Sequence, residues 1–302
     1  MSIQYGSMYV DEQYKATVLP NLFYKTWLVP GVTYQDVMVD GAGGCYWHKL
    51  TSTAASVGTP GRDFTDTAAA DTLVQAVFNN NLQASKKIYG VQAAAVAFPI
   101  AEEHLALATR EVAEAKNQCA LACLISEGTA STNTTKTTAA NFKAQVLAER
   151  KAMVKAKANP TIVLCSPDFF ATMLEFAGEK YTPTSNEMLL AAAAGGQVGS
   201  FMGFTWIEVN GFASSADLAY YPHGGTKASV TAANLAKVEF IMYDPNAFGV
   251  GDNFSIVRMV DSELFAGTKA QVEENAALRV LDAAQVHVKS YACLLYTSDA
   301  AD

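Results

Sequence analysis

The sequence predicts an α+β fold in which one long helix joins an extended two-stranded excursion to an α/β domain. Three observations carry this prediction. Residues 100–127 hold a continuous apolar stripe at helical spacing. Residues 161–165 (TIVLC) form an apolar run without alternation between Pro160 and Ser166-Pro167, as expected of a strand covered on both faces. Residues 33–96 mix β-like segments with stretches rich in Gly, Thr and Ser.

Taken in order, residues 1–31 keep neither a helical nor a strand period. They carry Tyr5, Tyr9, Tyr14, Phe23, Tyr24 and Trp27, with prolines at 20 and 30, and read as an arm whose aromatics need a surface to pack on. Residues 33–40 (TYQDVMVD) are β-like, Gly41, Gly43 and Gly44 interrupt them, and Cys45-Tyr46-Trp47-His48 resumes the pattern. Residues 51–82 are polar with weak order signals, and residues 85–97 regain β character. The stripe of the long helix runs through Ala101, Leu105, Ala108, Val112, Ala115, Cys119 and Ala122. Glu102 and Glu103 suit its first turn, and Gly128 ends it. At 1.5 Å per residue it spans about 42 Å. The alanines require something to approach it closely.

Residues 129–140 (TASTNTTKTTAA) read as a polar linker. Residues 141–157 predict a second amphipathic helix with Phe142, Val146, Met153 and Val154 inward, stopped by Pro160. Ser166-Pro167 starts another helix. Thr184 and Glu187 form a capping box for one reaching Ala194. Gly195, Gly196 and Gly199 open a hairpin with arms at residues 201–202 and 206–209 and Gly203 near its turn. Residues 238–243, 254–260 and 277–288 supply further strands.

Composition narrows the function. The 302 residues are 50% hydrophobic and only 17% charged. No apolar run reaches 18 residues, so no membrane span accounts for the excess, and no signal peptide is expected. The remaining outlets are a large core and large subunit interfaces, which resemble a core cut in half. A net charge of −8 argues against a protein that grips nucleic acid directly. Lys143, Arg150, Lys151, Lys155 and Lys157 cluster on one predicted helix and read as a solvated face. Five unevenly spaced cysteines suggest a reducing compartment rather than a disulfide framework.

Candidate chemistry is sparse. Cys165 precedes a helix N-terminus, a place that can activate a thiol, and His223 is its conceivable partner. However, Pro167 supplies no N–H there, and a buried structural cysteine is the plainer reading. Cys119 and Cys123 lie one turn apart and make half a metal site at most. The four histidines show no HExxH spacing, and neither residues 195–203 nor Gly224-Gly225-Thr226-Lys227 completes a nucleotide-binding motif. Asp36, Asp40 and Asp63 read as solvated carboxylates. No catalytic residue, metal or cofactor is expected.

Three blocks, LPNLFYKTWLVPGV at 19–32, NPTIVLCSPDFFATML at 159–174 and GQVGSFMGFTWIEVNGF at 196–212, stand in an order that resembles the major capsid proteins of tailed double-stranded DNA bacteriophages, whose fold encapsulins share. The resemblance covers roughly residues 15–290. It implies an N-terminal arm (1–32), an extended β-hairpin loop (33–96), a spine helix of a peripheral domain (97–129), an apical domain (130–250) and closing strands of the peripheral domain (251–291). Residues 292–302 are expected to be a non-native tail, because CLLYTSDAAD at 293–302 resembles a translated sequencing-library adapter. The resemblance further implies self-assembly into pentamers and hexamers of an icosahedral shell that encloses genomic DNA without reading its sequence. Scaffolding and portal proteins are possible partners, assembly falls in the host cytoplasm and the product is a virion. Phe23, Trp27, Tyr46, Trp47, His48 and Lys49 are the expected inter-subunit contacts. Some relatives crosslink through lysine and asparagine, for which Lys49 or Lys86 would be the donor, without support from spacing. The alternatives are an encapsulin-like compartment and, in another class, a cytosolic enzyme using Cys165.

Overall fold

The computed structural model describes residues 26–36, 39–40, 44–51, 70–95, 100–180 and 197–291. In chain order its elements are β1 (Gln35–Asp36), β2 (Val39–Asp40), β3 (Gly44–Thr51), β4 (Ala70–Ala76), β5 (Asn80–Tyr89), α1 (Gly90–Ala95), α2 (Ile100–Glu127), β6 (Thr129–Ala130), α3 (Phe142–Lys155), β7 (Ile162–Cys165) and α4 (Pro167–Lys180). There follow β8 (Gln197–Phe201), β9 (Phe204–Glu208), β10 (Leu218–Tyr220), β11 (Ala228–Val230), β12 (Val238–Tyr243), β13 (Phe248–Asp261), β14 (Gly267–Val280) and β15 (Val286–Ser290). Among the described residues they make a six-stranded sheet ordered β6-β15-β12-β7-β9-β8, a four-stranded sheet β1-β13-β14-β5, a three-stranded sheet β2-β3-β4 and the pair β10-β11.

Helix α2 stitches the two large sheets together. Along its first half Ala101, Leu105, Ala108, Val112 and Ala115 pack on Ile88 and Leu82 of β5 and on Ala270 and Val272 of β14. Its last turns, Ala120 to Ile125, are buried on every side. They share a core with Ile162, Leu164, Ile241, Tyr243, Val286 and Val288 of the six-stranded sheet. Charged groups fix the register: Lys116 Nζ sits 2.6 Å from both Asp252 and Glu274, and Lys86 pairs with Glu111 at 2.7 Å. At the C-terminal end the Glu127 carboxylate accepts from Arg279, from the Tyr220 hydroxyl and from the backbone N–H of Val280.

The opposite face of the six-stranded sheet carries α3 and α4. Phe142 stacks on Phe176 at 4.9 Å, and Phe169 meets Phe240 at 4.8 Å. Strand β7 is buried along its whole length, as its unalternating sequence predicts. Ser166 accepts from the N–H of Phe169 and starts α4 at Pro167. Strands β8 and β9 pair from Phe201 to Phe204 across Met202 (φ 55°) and Gly203 (φ 83°). Two consecutive positive φ angles define the tight hairpin turn whose twist matches the strands.

Several expectations need correction. The β character assigned to residues 85–97 belongs to β5, which begins earlier at Asn80. It ends where Gly90 N–H bonds to Ala266 O, and the alanine-rich residues beyond form α1. The excursion's returning arm is instead β4, in a stretch too polar to announce itself. Residues 277–288 are not one strand. β14 ends at Val280, Asp282 caps a helical turn by accepting from Ala284 N–H, and β15 follows in the other large sheet. The earlier part of β14 escaped notice because its half-exposed face is polar, with Lys269, Gln271 and Glu273. The strand predicted at 254–260 is the outer half of β13. Val154, expected inward, is 50% exposed, because the buried arc of α3 runs through Phe142, Val146, Glu149 and Met153. The capping box at Thr184 and the glycines at 195 and 196 lie outside the described residues.

Candidate functional site

The hairpin β3-β4 pairs antiparallel from Cys45 with Ala76 to Thr51 with Ala70. Alternation sends Cys45 and Trp47 to one face and Tyr46 and His48 to the other. Trp47 is therefore a core residue, packed with Cys45, Ala76 and Ala277. Its ring lies so close to β13 that a Cβ on Gly249 would come within 2.4 Å of it. Only glycine admits that approach, so Trp47 clasps the root of the hairpin to the four-stranded sheet. Trp27 is likewise 3% exposed, in the core with Leu28 and Tyr34. Both tryptophans were expected at subunit contacts, and their burial within the chain removes them from its surface. Phe23 lies outside the described residues. What the hairpin presents outward is Tyr46, held by a hydrogen bond from Gln75 (3.0 Å), exposed His48, and exposed Leu73 opposite it. Lys49 is exposed and ion-paired with Asp282 at 2.9 Å.

A second exposed surface lies on β13. β1 pairs with it only at Gly249 and Val250. Beyond that point the outer edge of β13 has no strand partner among the described residues. Val257 (52% exposed), Met259 and Val260 lie along it, and Leu264 (87% exposed) stands at the tip of the β13-β14 hairpin. An unpaired edge leaves its backbone N–H and C=O groups open to a strand from another chain.

The supposed linker at 129–140 is a strap bound to the six-stranded sheet. β6 runs parallel to β15, and Ser131 N–H donates to Val288 O at 2.8 Å. The Ser131 hydroxyl donates to Glu149 at 2.6 Å, and His287 Nδ1 lies 3.3 Å from the same carboxylate. Lys289, 0% exposed, donates to the carbonyls of Asn133 and Thr135. Both the N–H and the hydroxyl of Thr137 donate to buried Glu239 at 2.6 Å. Burial pulls the Lys289 pKa down, with Glu239 and Glu149 opposing. Burial works to raise Glu149, but the His287 and Ser131 hydrogen bonds and the charges of His287 and Lys289 prevail and hold it below 4.5. Sequence reasoning missed this network. One signal was present: Glu149 falls on the apolar stripe of α3, where a charge needs buried partners.

The candidate nucleophile has the wrong surroundings. Cys165 is fully buried, its Sγ lies 3.3 Å from Ile207 O, and burial followed by the charge of Glu208 pushes its thiol far above the ordinary range. Activation needs the opposite shift. Cys119 is pushed up to about 11 by burial, despite Lys227, and Cys123 is raised by burial as well. Both belong to the core around α2. Lys86 is held by Glu111 within the chain. Asp36 and Asp40 stand on strands of different sheets, and Asp63 lies outside the described residues. The five cations of α3 and its end are exposed, as expected.

The same architecture occurs in solved capsid structures. A chain of Mycobacterium phage Che8 superimposes with a TM-score of 0.64 at 15% identity, covering 94% of this chain and 98% of that one. The capsid of the cyanophage P-SCSP1u gives 0.65 at 11% identity, with 93% and 92% covered. The capsid of Ralstonia phage GP4 gives 0.64 at 8% identity, with 100% and 99% covered. No curated protein matches the chain in sequence. The fold is therefore that of tailed-phage major capsid proteins. The sequence profile of the phage capsid protein family matches residues 92–254, over half of the chain, and the chain belongs to that family. It is a structural subunit of a capsid shell, with its place in the virion, and neither the compartment nor the enzyme alternative is favoured.

Proposed function

We propose that the chain builds the icosahedral head of a tailed double-stranded DNA phage, assembling through pentamers and hexamers in the host cytoplasm. It has no catalytic role. Residues 130–250 act as the apical domain around the symmetry axes. Residues 97–129 and 251–291 form the peripheral domain, and the arm (1–32) and hairpin loop (33–96) reach neighbouring copies. Tyr46, His48 and Lys49 make contacts from the hairpin, and Phe23 makes them from the arm. Trp27 and Trp47 hold these segments in place from inside. The shell encloses DNA without gripping it, in keeping with a net charge of −8. A separate scaffolding protein and a portal are its partners. The observation that carries the reading is the family match at residues 92–254, within a fold that capsid chains share over almost their whole length.

The test is negative-stain electron microscopy of the chain, expressed alone and with candidate scaffold genes. Closed uniform shells, or rings of five and six copies, are the expected result. A small monomer under every condition overturns the reading.

A further inference from the structure

Two strips on one face of the six-stranded sheet match each other in charge, shape and spacing. The first lies on α3. On a helical projection Lys143, Leu147, Arg150, Lys151 and Val154 fall on one exposed arc that flanks the buried arc of Phe142, Val146, Glu149 and Met153. All five are exposed, including Leu147 (40%) and Val154 (50%). Glu149 is the helix's sole carboxylate, and it is turned inward onto Ser131 and His287, so the outer face carries only positive charge. It is an apolar ridge edged by cations on a chain of net charge −8.

The second strip lies on α4. Exposed Asp168, Ala171 and Glu175 and half-buried Thr172 form its outer arc, opposite buried Phe169, Phe170, Met173 and Phe176. Beside it runs a cleft of about 410 Å³ lined by Thr137, Thr138, Ala139, Ala140, Thr172 and Glu175. It is a shallow channel of small side chains with the Glu175 carboxylate on its wall, and Asp168 lines a smaller adjoining hollow that shares Thr137 and Thr172. Asp168 and Glu175 are seven residues apart, about 10.5 Å along the axis. Leu147 and Val154 share that separation, as do Lys143 and Arg150.

We infer that α3 of one copy docks on α4 of a second copy, with Leu147 and Val154 lying along the channel and Lys143 and Arg150 meeting the two carboxylates. This rests on the assembly proposed above and names a contact within it. The two strips differ and occupy different helices. A copy that offers its α3 strip therefore keeps its α4 strip for the next copy, and such head-to-tail contacts generate rings where the rotation between copies closes. Opposite potentials also suppress wrong pairings, since like charges brought together repel.

The experiment uses two full-length variants, K143E/R150E and D168K/E175K, checked for native folding by circular dichroism and followed by mass photometry and electron microscopy beside the unaltered chain. In each variant the two strips carry like charge. Each alone should need about tenfold or more higher concentration to assemble. Mixed together they should recover, because acidic α3 then meets basic α4 and the converse. The mixture must alternate, so it closes rings of six but not rings of five. Combining all four substitutions in one chain should restore both. Variants that assemble like the unaltered chain overturn the contact. So do folded variants that fail and are rescued neither by mixing nor by combination, which would mean that the α3 strip serves an acidic scaffold or DNA. If the unaltered chain itself never assembles, the shell reading fails first, and this contact with it.

Discussion

Replacing Lys289 with methionine tests the strap most directly. The ammonium is fully buried and donates to two backbone carbonyls, of Asn133 and Thr135, while facing Glu239 and Glu149. Methionine fills nearly the same volume and donates nothing. Each orphaned acceptor costs about 1–3 kcal/mol, and the two carboxylates lose their cation. Relief from burying a charge offsets part of this, leaving a net loss of about 3 kcal/mol. The loss should be local. The amide of Thr137, which donates to Glu239, should exchange with solvent about a hundredfold faster, the ratio that 2.7 kcal/mol corresponds to. Amides of β7 and β12 should keep most of their protection. Hydrogen exchange read by mass spectrometry over residues 129–141 is the assay. Unchanged protection of the strap would refute the argument that Lys289 holds it.

Three other outcomes follow from the geometry. Gly249→Ala forces the Trp47 ring outward and should cost about 2 kcal/mol by overpacking. In a Trp47→Ala background the same change should cost almost nothing, so additive losses in urea unfolding would count against the clasp. Because Glu149 is held below 4.5, its contribution is present above that pH and disappears as pH falls through the lowered value. Urea midpoints at pH 7 and pH 3 should therefore converge in Glu149→Gln relative to the unaltered chain. Met202 occupies a left-handed turn position (φ 55°) while its side chain packs on the core beneath α4, so relief of strain and lost packing oppose each other and Met202→Asn should shift stability by under about 0.5 kcal/mol in thermal unfolding.

Much of this arrangement was legible in advance where a residue's neighbours along the chain decide its state. The stripe from Ala101 to Ala122 gave α2 to the residue, and Ser166-Pro167 marked the start of α4. Gly203 placed the β8-β9 turn. Partnering across the fold was not legible. β4 and β14 are polar enough that only their pairing makes them strands. The period of β3 is plain, yet which face holds Trp47 depends on Gly249, two hundred residues away in sequence. The strap looked like a boundary because its threonines and serines carry no hint of Glu149, Glu239 and Lys289 beneath. Of the contact residues, Tyr46, His48 and Lys49 remain on the surface, and the two tryptophans do not.

The seam between α2 and the four-stranded sheet has a mechanical consequence. Ala101, Ala108 and Ala115 bring helix and strands close, and dispersion accumulates along the whole length. Side chains this small interlock little, so the seam resists peeling far more than it resists sliding along the helix axis. Resistance to sliding therefore falls on the ion pairs that bridge it, Lys86–Glu111 and Lys116 between Asp252 and Glu274. A subunit built this way carries shear between the rod and the four-stranded sheet on those charged contacts rather than on interlocked side chains.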